Sequence, residues 1–383
     1  MVARLRLPLT QIILGKFFSR PKELKRQLRT FLKYSKDVKI KLFQEKLLKE
    51  NYSPSTRKLI VFLTPGADIV NGGILSISSL YEETKKLKHM HEAETLLCTI
   101  PGHPLLLKYT KFENKNYIYC LSRVLSYFRN IQSLVIHIPE YRVGHFLRNL
   151  SIKDYLRLNK IRCVHFNVMI QNIEVLSPMD EIERLKRLGK VTCTTAHEKY
   201  STLEMRKKLG CPLHKLSTYV SPEKYNKRRY VEKEDLMIVS HDEHSKKAEV
   251  LGLIAKCLPH LKIQIVKNLT YEEYKRAISR AKWALTFGEG LDNYFVEAVF
   301  SGGISFSVYN PKFFTEDFKS LSTVYDNYNA LIEKICSDIE NLDNEIAYVN
   351  CQDKLYTLCR KHYDYEKYVK NVELFYKGQY TYA

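Results

Sequence analysis

The stretch Phe287-Gly-Glu-Gly-Leu-Asp-Asn-Tyr-Phe-Val-Glu-Ala-Val-Phe-Ser-Gly-Gly303 decides how this chain is read. It begins where Trp283–Phe287, a short apolar run with strand character, meets two glycines that break it into a turn. Tyr294–Phe300 then carries apolar side chains at most positions, as a helix buried against a sheet does. Ile304–Val308 reads as the next strand, which completes a βαβ unit. Glu289 stands just past the strand and Glu297 on the helix, with seven residues between them. The macrodipole favours a carboxylate near a helix start, and a carboxylate accepts from both hydroxyls of a ribose diol. The two acids can thus serve two parts of one ligand. A loop acid plus a helix-capping acid fits the spacing equally, and the spacing alone leaves both readings open.

Outward from this unit the alternation continues. Leu236–Ser240 and Leu261–Val266 read as strands, Lys246–Cys257 and Tyr271–Ala281 as helices. Upstream, Leu59–Leu63, Glu94–Ile100, Ser133–Ile138, Arg162–Met169, Val191–Thr195 and Leu216–Val220 are strand candidates. Helical stretches such as Ile74–Leu87, Tyr117–Phe128 and Met179–Leu188 separate them. Short apolar runs alternating with helices predict parallel sheets covered on both faces. The polar segment Ser221–Asp235 parts the two sets. The fold class predicted is α/β, with two doubly wound Rossmann-like domains, 51–221 and 222–361, facing a central cleft. A basic amphipathic segment, 1–50, precedes them, and a helical segment, 362–383, follows. Ligands of such folds bind outside the carboxyl ends of the strands.

Composition narrows the function classes. Of 383 residues, 45% are apolar, enough for large cores. No apolar run reaches the ~18 residues of a membrane span, and Met1–Phe18 lacks a cleavage-site pattern, so a secretory signal is disfavoured. Nine cysteines without a Cys-x-x-Cys pair fit neither a disulfide framework nor structural zinc, which points to a reducing, cytoplasmic compartment. Residues 1–50 hold 14 Lys or Arg against 4 Asp or Glu, half of the net charge of +20. Interleaved with Ile12, Ile13, Leu14, Phe17 and Phe18, these bases suit an anionic membrane surface. A solvated helix face is the plainer alternative. Nucleic acid is not expected as a partner, because no recognised binding motif accompanies the charge.

Asn71-Gly72-Gly73 lies between a strand and a helix, where backbone amides and the helix start can face a ligand; a tight turn alone would also choose glycine. It is not Gly-x-Gly-x-x-Gly, which disfavours dinucleotide binding. His137 and His165 close candidate strands on the presumed cleft side, as acceptor-positioning or catalytic groups or as hydrogen-bonded structural histidines. His89 and His91 have no third ligand nearby and read as surface residues.

The Glu289–Gly303 segment resembles the Glu-x7-Glu signature of retaining GT-B glycosyltransferases, particularly glycosyltransferase family 4, with Ala298 and Gly302 also fitting. Leu269–Ala281 is similar to the helix before that site. Asn71–Ile77 and His165–Glu174 resemble a bacterial surface-polysaccharide, rhamnosyltransferase-like subgroup, and His362–Tyr368 looks like its terminal helix crossing back onto the first domain. The resemblance implies that Glu289 contacts the transferred sugar, Glu297 the ribose, and the amides of Gly290 and Leu291 the donor. It implies a basic residue for the diphosphate, for which Lys246 and Lys247 are nearest. Asp292 departs from the usual glycine, and Ser240-His241-Asp242 stands where the family carries arginine. No Asp-x-Asp follows a strand, so no metal and no cofactor beyond the nucleotide-sugar donor is expected. The implied activity is retaining transfer of a sugar to a glycan or lipid-linked acceptor, at the inner face of the cytoplasmic membrane. A sugar-nucleotide epimerase and a non-catalytic polysaccharide- or nucleic-acid-binding protein are the alternatives.

Overall fold

The computed structural model describes residues 37–69, 71–112, 116–217, 224–267 and 269–383. The chain falls into two compact units, Met1–Tyr52 and Ser53–Ala383. In the first unit, residues 37–51 form one helix. The rest of the basic segment, 1–36, lies outside the described residues. So do residues 218–223, across which the sequence reading sets its interdomain boundary.

The unit from Ser53 onward holds two sheets. The first contains β1 (Lys58–Thr64), β2 (Glu94–Thr99), β3 (Ile118–Cys120), β4 (Ser133–Pro139), β5 (Cys163–Ile170), β6 (Lys190–Thr195) and β7 (Leu213–Lys215). Its order is β3-β2-β1-β4-β5-β6-β7, all parallel. Every residue of β1 after Lys58 is buried. Helices cover both faces, so the strand shows a continuous apolar run in place of alternation. The second sheet contains β8 (Glu234–Val239), β9 (Lys262–Ile265), β10 (Ala281–Leu285), β11 (Ile304–Val308) and β12 (Val324–Tyr325). Its order is β12-β11-β10-β8-β9, again parallel. Strand order reverses between β1 and β4 in one sheet and between β8 and β10 in the other. At such reversals the chain departs to opposite faces and a crevice opens at the carboxyl ends.

Two short elements differ from the sequence reading. The stretch Tyr117–Phe128 begins as edge strand β3, because Ile118 and Tyr119 are buried in register with Leu97 and Cys98; its helix starts at Leu121. Among the described residues the last strand of the first sheet is Leu213–Lys215, and Leu213 pairs with Tyr382; of the expected strand Leu216–Val220, residues 218–220 lie outside the described residues. Elements of three residues carry no period to read.

After β12, helices Tyr328–Leu342 and Glu345–His362 pack on the second sheet. The Tyr348 hydroxyl donates to the carbonyls of Lys282 and Gly302, each at 2.9 Å, and its ring closes over the buried Trp283. Helix Tyr365–Tyr376 then lies on the first sheet, with Tyr368 and Val372 in that core. Helix Tyr365–Tyr376 thus returns from the second sheet to the first.

Candidate functional site

The turn after β10 is built by its glycines. Gly288 and Gly290 have φ of +72° and +81°, a left-handed backbone that glycine adopts without strain. A side chain at Gly290 would also collide with Phe314, 2.7 Å from its Cβ position, and with Ser307 at 2.8 Å. The Thr286 hydroxyl donates to the Gly290 carbonyl at 2.8 Å and locks the turn. The amides of Gly290 and Leu291 meet no acceptor among the described residues. Turns of this kind gather amides into a concavity that suits an anion. Glu289 stands at the crest of the turn, at the reversal of the second sheet.

Across the crevice, the turn after β5 reaches Glu289. Asn172 Nδ2 donates to Glu289 Oε1 at 2.6 Å. The amide of Asn172 donates to Glu140 Oε1 at 2.9 Å, and Glu140 follows directly on β4, at the reversal of the first sheet. Glu140 is 2% exposed, and its Oε2 has no partner among the described residues. Neighbouring bonds hold the same turn: His197 Nε2 on the Gln171 carbonyl at 2.8 Å, and Lys312 to Glu174 at 2.5 Å. Glu140, Asn172 and Glu289 thus form a chain of contacts joining the carboxyl ends of both sheets.

The electrostatics are acidic. Burial, then the charge of Asp242, pushes Glu289 up to about 7, while the Asn172 amide opposes the rise. Burial also lifts Glu140 to about 7, against the pull of the Asn172 amide. Asp242 lies against Gly288, its Cγ 3.3 Å from where a Cβ would stand, and its Oδ2 is unpartnered among the described residues. Asp292 caps the amide of Phe295 at 3.0 Å and is raised well above the usual carboxylate range by burial and then by Asp242. An ionised diphosphate here meets growing repulsion as these groups lose their protons.

The structure brings some of the expected residues to this place and removes others. Gly72 starts helix Gly72–Lys86, and its Cβ position is 3.4 Å from Asn293 Nδ2. Gly73 faces Gln171, whose Nε2 donates to its carbonyl at 3.3 Å. The Gly73 amide is not open to a ligand, because Asn71 Oδ1 accepts it at 2.9 Å. Leu291 is a core residue. Lys247 is buried with Nζ donating to the carbonyls of Ser240 (2.8 Å) and Asp242 (2.7 Å), and Lys246 pairs with Glu249. Lys247 therefore braces the turn from beneath.

Glu297 is held within the fold. It is the fifth residue of helix Asn293–Phe300, beyond the first turn where the macrodipole acts, and only 4% exposed. Its Oε1 accepts from the hydroxyls of Tyr225 (2.6 Å) and Tyr271 (2.8 Å). Burial raises it and these phenols partly offset the rise.

His137 and His165 lie within their strands, short of the carboxyl ends. His137 is fifth of seven residues in β4 and His165 third of eight in β5. His137 stacks on Phe62 at 4.2 Å and bonds through Nε2 to the Tyr376 hydroxyl at 2.9 Å; burial holds it well below its usual range. His165 bonds to the Thr192 hydroxyl at 2.8 Å beneath Phe375, and burial brings it down to about 4. Both pack under helix Tyr365–Tyr376. The residues that sequence reasoning passed over are Glu140 and Asn172. An acid directly after a buried parallel strand was the available signal for the first.

No protein-family model and no curated protein matches the chain. Solved structures do match its architecture. HepE of Anabaena, in complex with UDP and glucose, superposes with a TM-score of 0.55 at 8% identity, over 84% of this chain and 100% of that one. Sucrose-phosphate synthase of Thermosynechococcus elongatus gives 0.53 at 9% identity, over 84% and 99%. The fold is GT-B. At such identities the likeness speaks for the fold alone.

Proposed function

We propose that this chain is a glycosyltransferase that moves a hexosyl or deoxyhexosyl unit from a nucleoside-diphosphate sugar to a glycan or lipid-linked acceptor. One observation carries the reading. Glu289 sits in a left-handed glycine turn with unengaged amides, at the sheet reversal of a GT-B fold, and the opposite half holds it through Asn172. The amides of Gly290 and Leu291 are placed to receive the diphosphate, and the Glu289 carboxylate to accept from sugar hydroxyls. The nucleoside is assigned to the helix Asn293–Phe300 side, where Glu297 acts through Tyr225 and Tyr271. The Glu-x7-Glu likeness to family 4 supports retention. In that course the anomeric carbon bonds to the acceptor oxygen as its bond to the diphosphate breaks, on one face, and the acceptor proton passes to the departing phosphate oxygen. Positioning and charge stabilisation supply the rate.

Residues 1–50 are assigned to an anionic membrane surface at the cytoplasmic side, on the strength of their charge. The uridine nucleotides of HepE make UDP-sugars the first probes. At 100 times its Kd, a donor binding only the folded chain stabilises it by about 2.7 kcal/mol, a clear thermal shift. Transfer then releases nucleotide in proportion to glycan extended, whereas an epimerase changes the sugar without that release and a binding protein turns nothing over. Glu289→Gln is expected to cut turnover at least tenfold in a folded protein; full activity in that variant would overturn the assignment.

A further inference from the structure

Beside Glu140, at the reversal of the first sheet, three basic side chains converge. His103 follows β2 and accepts the amide of Gly66, in the loop after β1, on Nδ1 at 3.4 Å. In the neutral ring this leaves the proton on Nε2. His145, on helix Val143–Asn149, meets the His103 ring edge-on with centroids 4.9 Å apart. Arg142, just before that helix, lays its guanidinium over Tyr141 at 4.6 Å. Arg142 Nε and His145 Nε2 are both shut from solvent, and neither has a partner among the described residues.

Of the neighbouring carboxylates, Glu181 pairs with Arg148 at 2.9 Å and Asp68 accepts the Thr110 amide at 2.9 Å, while Glu140 accepts the Asn172 amide on Oε1 and keeps Oε2 unpartnered among the described residues. His103 is held below its usual range by burial, then by the charges of Arg142 and His145, and no acid opposes them. Buried polar nitrogens without partners and clustered like charges are both unfavourable, and one bound anion relieves both. Asn149 borders the cluster: the position that a side chain on Gly102 would fill lies 2.7 Å from Asn149 Cγ and 3.0 Å from His145 Nε2, so an anion oxygen reaches His145 there only as the Asn149 side chain turns aside.

We propose that His103, Arg142 and His145 form an anion subsite that receives a phosphate group carried by the acceptor. Calling the ligand an acceptor rests on the glycosyltransferase reading; the affinity of the cluster for phosphate does not. A soluble sugar phosphate and a lipid-linked phosphate present the same group.

The test uses the full chain with ¹⁵N-labelled histidine, titrated with inorganic phosphate and read at the ring nitrogens. His103 and His145 are expected to shift saturably, and Arg142→Gln and His145→Gln each to weaken phosphate affinity at least fivefold. Arg142→Lys, which keeps the charge without the planar fork, is expected to recover part of that loss and guards against a folding defect in the glutamine variant. Glucose 6-phosphate and a polyprenyl phosphate in micelles then compete with inorganic phosphate, and the stronger competitor identifies the source. Unmoved ring resonances, or equal affinity in wild type and Arg142→Gln, overturn the subsite even if a UDP-sugar turns over. A saturable shift in a chain that binds no nucleotide sugar overturns the glycosyltransferase reading and leaves the subsite standing.

Discussion

Replacing Asn172 by alanine separates Glu289 from the one group that favours its ionised form. Burial, Asp242 and Glu174 all favour the neutral acid, and only the Asn172 amide opposes them. The bond is 2.6 Å long and part-buried. Hydrogen bonds to a charged group are worth about 1.5–3 kcal/mol, and partial exposure places this one at the lower end. Since 1.36 kcal/mol corresponds to one pH unit, the Glu289 titration should move up by about one unit. From a starting point of about 7, the ionised fraction at pH 7 falls from about a half to about a tenth. If the carboxylate is the working form, kcat/KM for nucleotide release drops about fivefold at pH 7 and recovers at pH 9. The assay is the pH profile of kcat/KM from 5.5 to 9 in wild type and Asn172→Ala. Superimposable profiles, or a shift of the acid limb to lower pH, would refute the argument that Asn172 tunes Glu289.

Glu140 gives a stability test. Its carboxyl is held at about 7 in the folded chain against an ordinary 4.5, so its stabilising contribution is full below pH 4.5 and lost as pH rises through 7. Glu140→Gln removes this loss, and urea unfolding should show the variant gaining on wild type by on the order of 3 kcal/mol between pH 5 and 8; a pH-independent difference contradicts it. His137→Ala should cost about 2–4 kcal/mol through the lost stack and unpaired Tyr376 hydroxyl, with kcat/KM of the folded protein within threefold; a catalytic collapse without destabilisation would return His137 to the site. The transfer rate should survive EDTA, and loss restored by Mg²⁺ or Mn²⁺ would show that the acidic cluster engages a cation. Vesicle co-sedimentation should fall on removing residues 1–50 and on raising salt from 0.1 to 1 M; binding indifferent to both counts against a membrane role.

The sequence shows the architecture well and the site unevenly, for a physical reason. Strand–turn–helix alternation and the Gly-Glu-Gly turn are local, and local backbone demands are written in neighbouring residues: positive φ at Gly288 and Gly290 calls for glycine wherever the turn points. Partnerships are not local. Glu289 meets Asn172 across 117 positions, and His137 meets Tyr376 across 239. A histidine inside a parallel strand reads identically whether its neighbour is a substrate or a later helix. Glu297 is similar, since the spacing that places it says nothing of the Tyr225 and Tyr271 hydroxyls it accepts from.

The terminal helix Tyr365–Tyr376 has a consequence for biosynthesis. It supplies Tyr368 and Val372 to the first core and covers His137 and His165. The first sheet is therefore translated long before Tyr365–Tyr376, and the part of its core that helix Gly72–Lys86 leaves uncovered waits for that segment. Exposed apolar surface of this kind makes a nascent half prone to association. A chain cut short before Tyr365 keeps every residue of the crevice described above, yet loses the cover of the first sheet.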